Sequence, residues 1–175
     1  MSIREDRKYV GEYANTLNGV EYTGKWYTYE DAAKAKNAAK KMVVVAAAQL
    51  LIFVAGLLYD SAASYKVWVF IPYILTFLAY FYLVYLTFSV YRHKDKYTHK
   101  EYDRLILGQK KFLYGILVLI SITLVSDVIL LILGICNLVN LYIIWDILFF
   151  FGIIVLLILD IVNIKLSKCL SCKTE

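Results

Sequence analysis

The chain has 175 residues, 61% of them apolar and 19% charged, with a formal net charge of +5 and a mean hydropathy of +0.64. A soluble domain carries about a quarter charged residues and about half apolar ones, and lacks charge-free stretches of about 20 residues. This composition excludes an ordinary soluble enzyme, a disordered tail, a collagen-like chain and a disulfide-stapled secreted module; the single proline points to helices.

Residues 1–41 are polar and contain no short apolar stretch followed by a small-residue cleavage site, so the first apolar span is expected to serve as an uncleaved signal anchor. Within residues 1–28, Asn18-Gly19 is a strong hairpin signal. A two-residue turn there pairs Leu17 with Val20, Asn15 with Tyr22 and Tyr13 with Gly24, placing Tyr13, Leu17, Val20 and Tyr22 on one face. An isolated hairpin is marginal in water, so it is expected to lean on the membrane or on another protein. Trp26, Tyr27 and Tyr29 follow, as aromatic rings at headgroup depth do. An interfacial plug is the simpler reading of this segment; the alternative is a partner-docking surface made of Tyr13, Tyr22, Trp26 and Tyr27.

Thr28 and Asp31 read as a capping box that opens one helix from about Tyr29 to Leu58, rich in alanine and carrying the first span, about 42–59. Ala35, Ala39, Ala46, Ala47 and Gly56 give it small-residue surfaces for close helix approach. The second span covers about 67–91 and holds a stripe of hydroxyls, Tyr73, Thr76, Tyr80, Thr87 and Tyr91, at helical spacing. Its ten aromatic residues are expected to be lipid-facing and packing bulk. A loop over 92–111 contains a capping box, Thr98 with Glu101, and a short amphipathic turn through Tyr102, Leu105 and Ile106 that ends before Gly108. His93 and His99, six residues apart in this basic loop, are a poor metal pair. The third span covers about 112–136 and the fourth about 141–164, joined by a tight turn near Asn137 to Asn140; residues 165–175 form a tail. Each span is long enough to cross a hydrocarbon core of about 30 Å at 1.5 Å per residue.

Orientation follows from the cations. Eight of the Lys and Arg residues lie in residues 1–41, seven between spans two and three, and three in the tail. The other two connections hold only Lys66. By the positive-inside rule the N-terminus, the middle loop and the C-terminus face the cytoplasm of a cell (plasma) membrane protein. The positive net charge then follows from topology and attraction to anionic lipid, without a nucleic-acid partner.

Three acids lie inside apolar spans, with no Lys, Arg or His beside them: Asp127 in the third, Asp146 and Asp160 in the fourth. An Asp at mid-helix costs about 2.5–3.5 kcal/mol on the insertion scale and usually faces the bundle interior or a wet cavity. Helical rise places Asp127 and Asp146 within about 5 Å in depth, near Tyr73 and Thr76, with Thr123 one turn from Asp127. These five residues form the candidate intramembrane polar site. One reading makes them hydrogen-bonding groups that set helix register; the other makes the carboxylates a proton, cation or partner site, since two nearby carboxylates in low dielectric cannot both ionise cheaply. Asp160 is close enough to the cytoplasmic end to reach headgroups or Lys165. The stripe Asp146, Phe149, Ile153, Leu157 and Asp160 is a candidate seam for an oligomer.

Cys169 and Cys172 form a lone C-x-x-C, half of what a structural zinc needs, and Cys136 stands alone. A nucleotide-binding glycine loop, a nucleophile elbow and a metalloprotease helix are all missing. The expected architecture is an all-α antiparallel four-helix membrane bundle with a hairpin and an extended first helix at its cytoplasmic end. The expected function is a non-enzymatic accessory or regulatory subunit without a cofactor, contacting the bilayer and a membrane-protein partner or a second copy. The alternative is an oligomeric proton- or cation-coupled transporter using the intramembrane aspartates.

Overall fold

The computed structural model describes residues 9–16, 19–92, 96–136 and 142–174. A 3-10 turn (Val10–Glu12) leads into a hairpin of β1 (Tyr13–Thr16) and β2 (Gly19–Tyr22), followed by β3 (Tyr27–Tyr29). Then come α1 (Ala32–Leu58), the short α2 (Ala62–Tyr65), α3 (Val67–Arg92), β4 (Lys96–Tyr97), α4 (His99–Ile135), α5 (Ile143–Ser167) and β5 (Cys172–Thr174). The four long helices α1, α3, α4 and α5 are each long and apolar enough to cross a membrane. The chain is an integral membrane helix bundle. Each long helix packs on its neighbour in sequence, and α5 closes the ring against α1.

The spans fall close to their expected places, and their ends differ for identifiable reasons. α1 starts at Ala32, with Asp31 as N-cap accepting from the Lys34 amide at 2.9 Å. Thr28 does not cap it, because its backbone is committed to β3. A short carboxylate next to the first turn is the better cap. The Thr98–Glu101 capping box is present as expected, but the helix it opens does not stop before Gly108. It runs through a π-helical turn (Tyr102–Leu107) into the third span, with helical φ and ψ at Gly108. The loop expected over 92–111 therefore shrinks to a few residues. The expected turn at Asn137 to Asn140 lies outside the described residues, as does His93.

The hairpin forms in a different register. Tyr13 pairs with Tyr22 and Thr16 with Gly19, two residues away from the register that an Asn18-Gly19 turn imposes. Leu17, Asn18 and the Val20 side chain lie outside the described residues. Edge-to-face packing of Tyr13 on Tyr22, with ring centroids 5.2 Å apart, and the bond from the Thr23 amide to the Glu12 carbonyl favour the observed pairing. Cross-strand aromatic pairs of this kind stabilise by up to about 1 kcal/mol, and tertiary bonds to Tyr22 add to this.

Three short strands form a second sheet, in the order β4-β3-β5 and antiparallel throughout. Tyr27 pairs with Tyr97 and with Thr174, and Tyr29 with Cys172. The sheet joins the N-terminal segment, the α3–α4 connection and the C-terminal tail, the three segments that hold every cation but Lys66. The described strands of these segments therefore meet at one end of the bundle, hereafter the basic end.

The core is apolar and aromatic. Phe53 of α1 contacts Tyr73, Phe77 and Tyr80 of α3, and Tyr73 contacts Phe149 of α5. Ala35, Ala38, Ala39 and Ala46 are buried on α1, whereas Ala47 is exposed. Most of the expected oligomer seam on α5 is instead an inward face: Asp146, Phe149, Ile153 and Asp160 are buried within the single bundle, and Leu157 is half-buried. Most other aromatic side chains of α3, including Trp68, Phe81, Tyr85 and Phe88, face outward.

Gly56 marks the closest approach. A Cβ there would clash with the Tyr73 hydroxyl, which donates to the Phe53 carbonyl at 2.9 Å. Gly56→Ala is expected to push this hydroxyl off its acceptor and to destabilise the bundle by about 1–3 kcal/mol, as overpacking does. Thermal unfolding in detergent reads this directly. In a Tyr73→Phe background the same change should cost much less, because the clashing atom is gone.

Candidate functional site

Three groups of described polar side chains inside the bundle bear on the candidate site. The first is in the basic half. Asn163 Nδ2 on α5 donates to Gln49 Oε1 on α1 at 2.8 Å; Gln49 Nε2 donates to Tyr80 Oη on α3 at 2.8 Å. The Tyr80 hydroxyl in turn donates to Asp160 Oδ1 on α5 at 3.3 Å. All four residues are buried. Donors run in one direction through three helices and end on a carboxylate. Asp160 thus belongs to the core and does not reach toward headgroups or Lys165, because α5 turns its Asp160–Asn163 face inward over successive turns. Asp160 Oδ2 and Asn163 Oδ1 have no hydrogen-bond partner among the described residues. Closer to the basic end, Gln109 Nε2 of α4 donates to Thr87 Oγ1 of α3 at 3.0 Å.

The second group is at the opposite end. Asp146 lies in the first turn of α5, where its Oδ2 accepts from the Tyr142 amide at 2.6 Å and its Oδ1 from the Ala62 amide at 2.7 Å. One buried carboxylate therefore satisfies the entrance of α5 and ties it to the α1–α3 connection. Helix N-termini leave amides unsatisfied and favour negative charge, and charge-assisted bonds of this kind are strong. Trp145 packs on Tyr59 beside it, with ring centroids 5.5 Å apart.

The third group is Asp127 on α4, fully buried, with both carboxylate oxygens lacking a hydrogen-bond partner among the described residues. Thr123 does not bond it: the hydroxyls of Thr76 and Thr123 turn back to the Pro72 and Leu119 carbonyls of their own helices. Threonines in apolar helices commonly do this. Tyr73, Thr76 and Thr123 do converge, lining with Phe53, Ile120, Ile153 and Leu156 a void too tight for a water molecule. Neither Asp127 nor Asp146 lines it.

The residues expected to dock a partner divide. Tyr22 and Tyr27 are engaged within the chain. The His99 amide donates to the Tyr22 hydroxyl, which itself lies 3.1 Å from Glu12 Oε2 and 2.8 Å from the Lys25 carbonyl. Burial raises the Tyr22 hydroxyl above its ordinary value, which keeps it a donor. Tyr27 stacks on Tyr102 with ring centroids 4.3 Å apart. His99 Nδ1 is 2.6 Å from Glu12 Oε1, and Tyr9 donates to Asp103 at 2.7 Å. The hairpin thus leans on the start of α4 in its own chain. Tyr13 and Trp26 keep exposed faces, 40% and 37% accessible.

Cys169 and Cys172 are free thiols, as is the exposed Cys136. Burial pushes the Cys172 thiol up to about 11, so it is protonated and a weak ligand at neutral pH. No group of three or more His, Cys, Asp or Glu side chains among the described residues is placed to hold a metal.

Sequence spacing assigns no role to Gln49 or Asn163. A lone amide in an apolar run carries no pattern of its own, although its rarity in lipid is a signal. No protein-family description matches the chain, and neither a curated protein nor a solved structure matches it.

Asp146→Ala is expected to leave two amides without an acceptor and to cost about 1–3 kcal/mol for each. Asp146→Asn, which keeps one acceptor oxygen, should lose about half as much. Thermal unfolding of the two variants in the same detergent checks the order.

Proposed function

We propose that the chain is a non-enzymatic accessory or regulatory subunit of a membrane complex, held in the cell membrane with its basic end in the cytoplasm. The supporting observation is how the bundle uses its polar groups: Asn163, Gln49, Tyr80 and Asp160 are hydrogen-bonded to one another. The void between Tyr73, Thr76 and Thr123 admits no water. Such an interior suits a packing unit. Recognition then belongs on the outside. A groove of about 410 Å³ runs along α4 between Leu117, Val118, Ser121, Ile122, Val125 and Ser126, facing outward. Small and hydroxylated residues on a lipid-facing helix allow a second helix to approach. The partner is a membrane protein or a second copy of this chain. At the basic end Tyr13 and Trp26 offer further apolar surface. The orientation rests on the cation split of eighteen to one.

One observation favours a second reading, an oligomeric proton- or cation-coupled transporter. Asp127 is a buried carboxyl with neither oxygen hydrogen-bonded among the described residues, and intramembrane acids commonly mark ion or proton paths.

Two measurements on the native protein separate the readings. Affinity purification in mild detergent should recover a stoichiometric partner, and Val118→Trp, which fills the α4 groove, should release it. Reconstituted vesicles should show no proton or cation flux. A protein that purifies alone as a monomer, with a flux that Asp127→Asn abolishes, overturns the accessory reading.

A further inference from the structure

Near the basic end, the last turns of α3 and the first turns of α4 enclose a groove of about 250 Å³, lined by Tyr85, Ser89, Lys100, Glu101, Arg104 and Leu105. Its walls have two characters. Tyr85, 52% exposed, and Leu105 give an apolar side, and Lys100 and Arg104 on successive turns of α4 give a cationic one. The carboxylate in the lining, Glu101, is committed: its Oε2 accepts from the Thr98 amide at 2.9 Å and from the Thr98 hydroxyl at 3.0 Å. The Ser89 hydroxyl donates to the Tyr85 carbonyl at 2.8 Å.

Depth selects the ligand. Ser89 lies three residues and Tyr85 seven from the end of α3 at Arg92, so the groove spans about 5–10 Å inward from the helix end. For a span that ends at the membrane surface, that depth is the boundary between headgroups and acyl chains, where tyrosine rings concentrate. The cations come from a π-helical turn and the helix start just before it, Arg104 lying within Tyr102–Leu107 and Lys100 two residues ahead of it. π-turns inside α-helices are rare and recur at functional sites. A freely soluble anion has no use for the apolar wall, whereas a lipid occupies both sides at once.

We propose that this groove binds the headgroup of an anionic phospholipid from the leaflet at the basic end. The phosphodiester sits between Lys100 and Arg104, and the upper acyl chain lies along Tyr85 and Leu105. Guanidinium and ammonium donors suit phosphate oxygens, and the anionic headgroup complements the net positive lining.

Native mass spectrometry of the detergent-purified full chain, titrated with phosphatidylglycerol, phosphatidylcholine or inorganic phosphate, tests this. Phosphatidylglycerol should be retained in preference to phosphatidylcholine, and matched inorganic phosphate should not displace it. Lys100→Gln with Arg104→Gln should weaken retention about tenfold or more. Lys40→Gln with Lys41→Gln removes the same charge from exposed positions of α1 outside the groove and should leave retention unchanged. Ser89→Phe fills the groove with both cations in place and should also weaken it, so charge and space are read independently. Equal loss in the Lys40/Lys41 variant means diffuse attraction and overturns the proposal. Undiminished binding in the Lys100/Arg104 variant, equal binding of phosphatidylcholine, or displacement by inorganic phosphate overturns it as well.

Discussion

Hydrocarbon supplies no hydrogen-bond partner, so every backbone amide and carbonyl at membrane depth must find one inside the protein. The four long helices answer this demand for the spans, and the same demand governs the places where the helices end. At the end opposite the basic one, the Asp146 carboxylate accepts from the amides of Tyr142 and Ala62. Without it the entrance of α5 and the α1–α3 connection would each hold an unsatisfied donor in a poorly hydrated place. An acid in an apolar run thus reads as an ion site when taken alone, yet acts here as a cap shared by two connections.

The interior hydrogen bonds set register in a bundle whose apolar faces have little preference for one rotation over another. Lipid tails are as apolar as leucine, so burial alone barely distinguishes one helix rotation from the next. The Asn163–Gln49–Tyr80–Asp160 series ties α1, α3 and α5 at one depth, and Gln109 with Thr87 ties α4 to α3 at another. Interhelical bonds of this kind average about 0.6 kcal/mol, small for stability and sufficient for alignment. Gly56 contributes by absence of bulk, letting the Tyr73 hydroxyl reach the α1 backbone.

At the basic end, a three-stranded sheet and the contacts around His99 gather three chain segments that are far apart in sequence. β3 is the hub, with β4 on one edge and β5 on the other. Glu12, Tyr22 and His99 join the hairpin to the start of α4. The hairpin therefore has a surface to rest on without a partner, and its aromatic residues split between internal anchors, Tyr22 and Tyr27, and exposed faces, Tyr13 and Trp26. The same end carries the groove lined by Lys100 and Arg104.

Span number, helix identity, the Thr98–Glu101 cap and the grouping of the basic segments at one end were legible in the amino-acid sequence, because each follows from short-range pattern: apolar length, a cap at fixed spacing, and the parity of an even number of crossings. The hydroxyl stripe of α3 was likewise legible as helical spacing; Tyr73, Thr76, Tyr80 and Thr87 face inward, whereas Tyr91 at its end is exposed. Tertiary structure alone decided the rest. Strands of two and three residues have no periodicity to read, so the β4-β3-β5 sheet exists only because distant segments meet. The hairpin register follows Tyr13 on Tyr22 and the bonds to His99, which outweigh a local turn preference. The roles of Asp127, Asp146 and Asp160 differ although all three are aspartates in apolar helices: which amide or hydroxyl stands opposite each one depends on helix rotation and depth, and no local spacing encodes either.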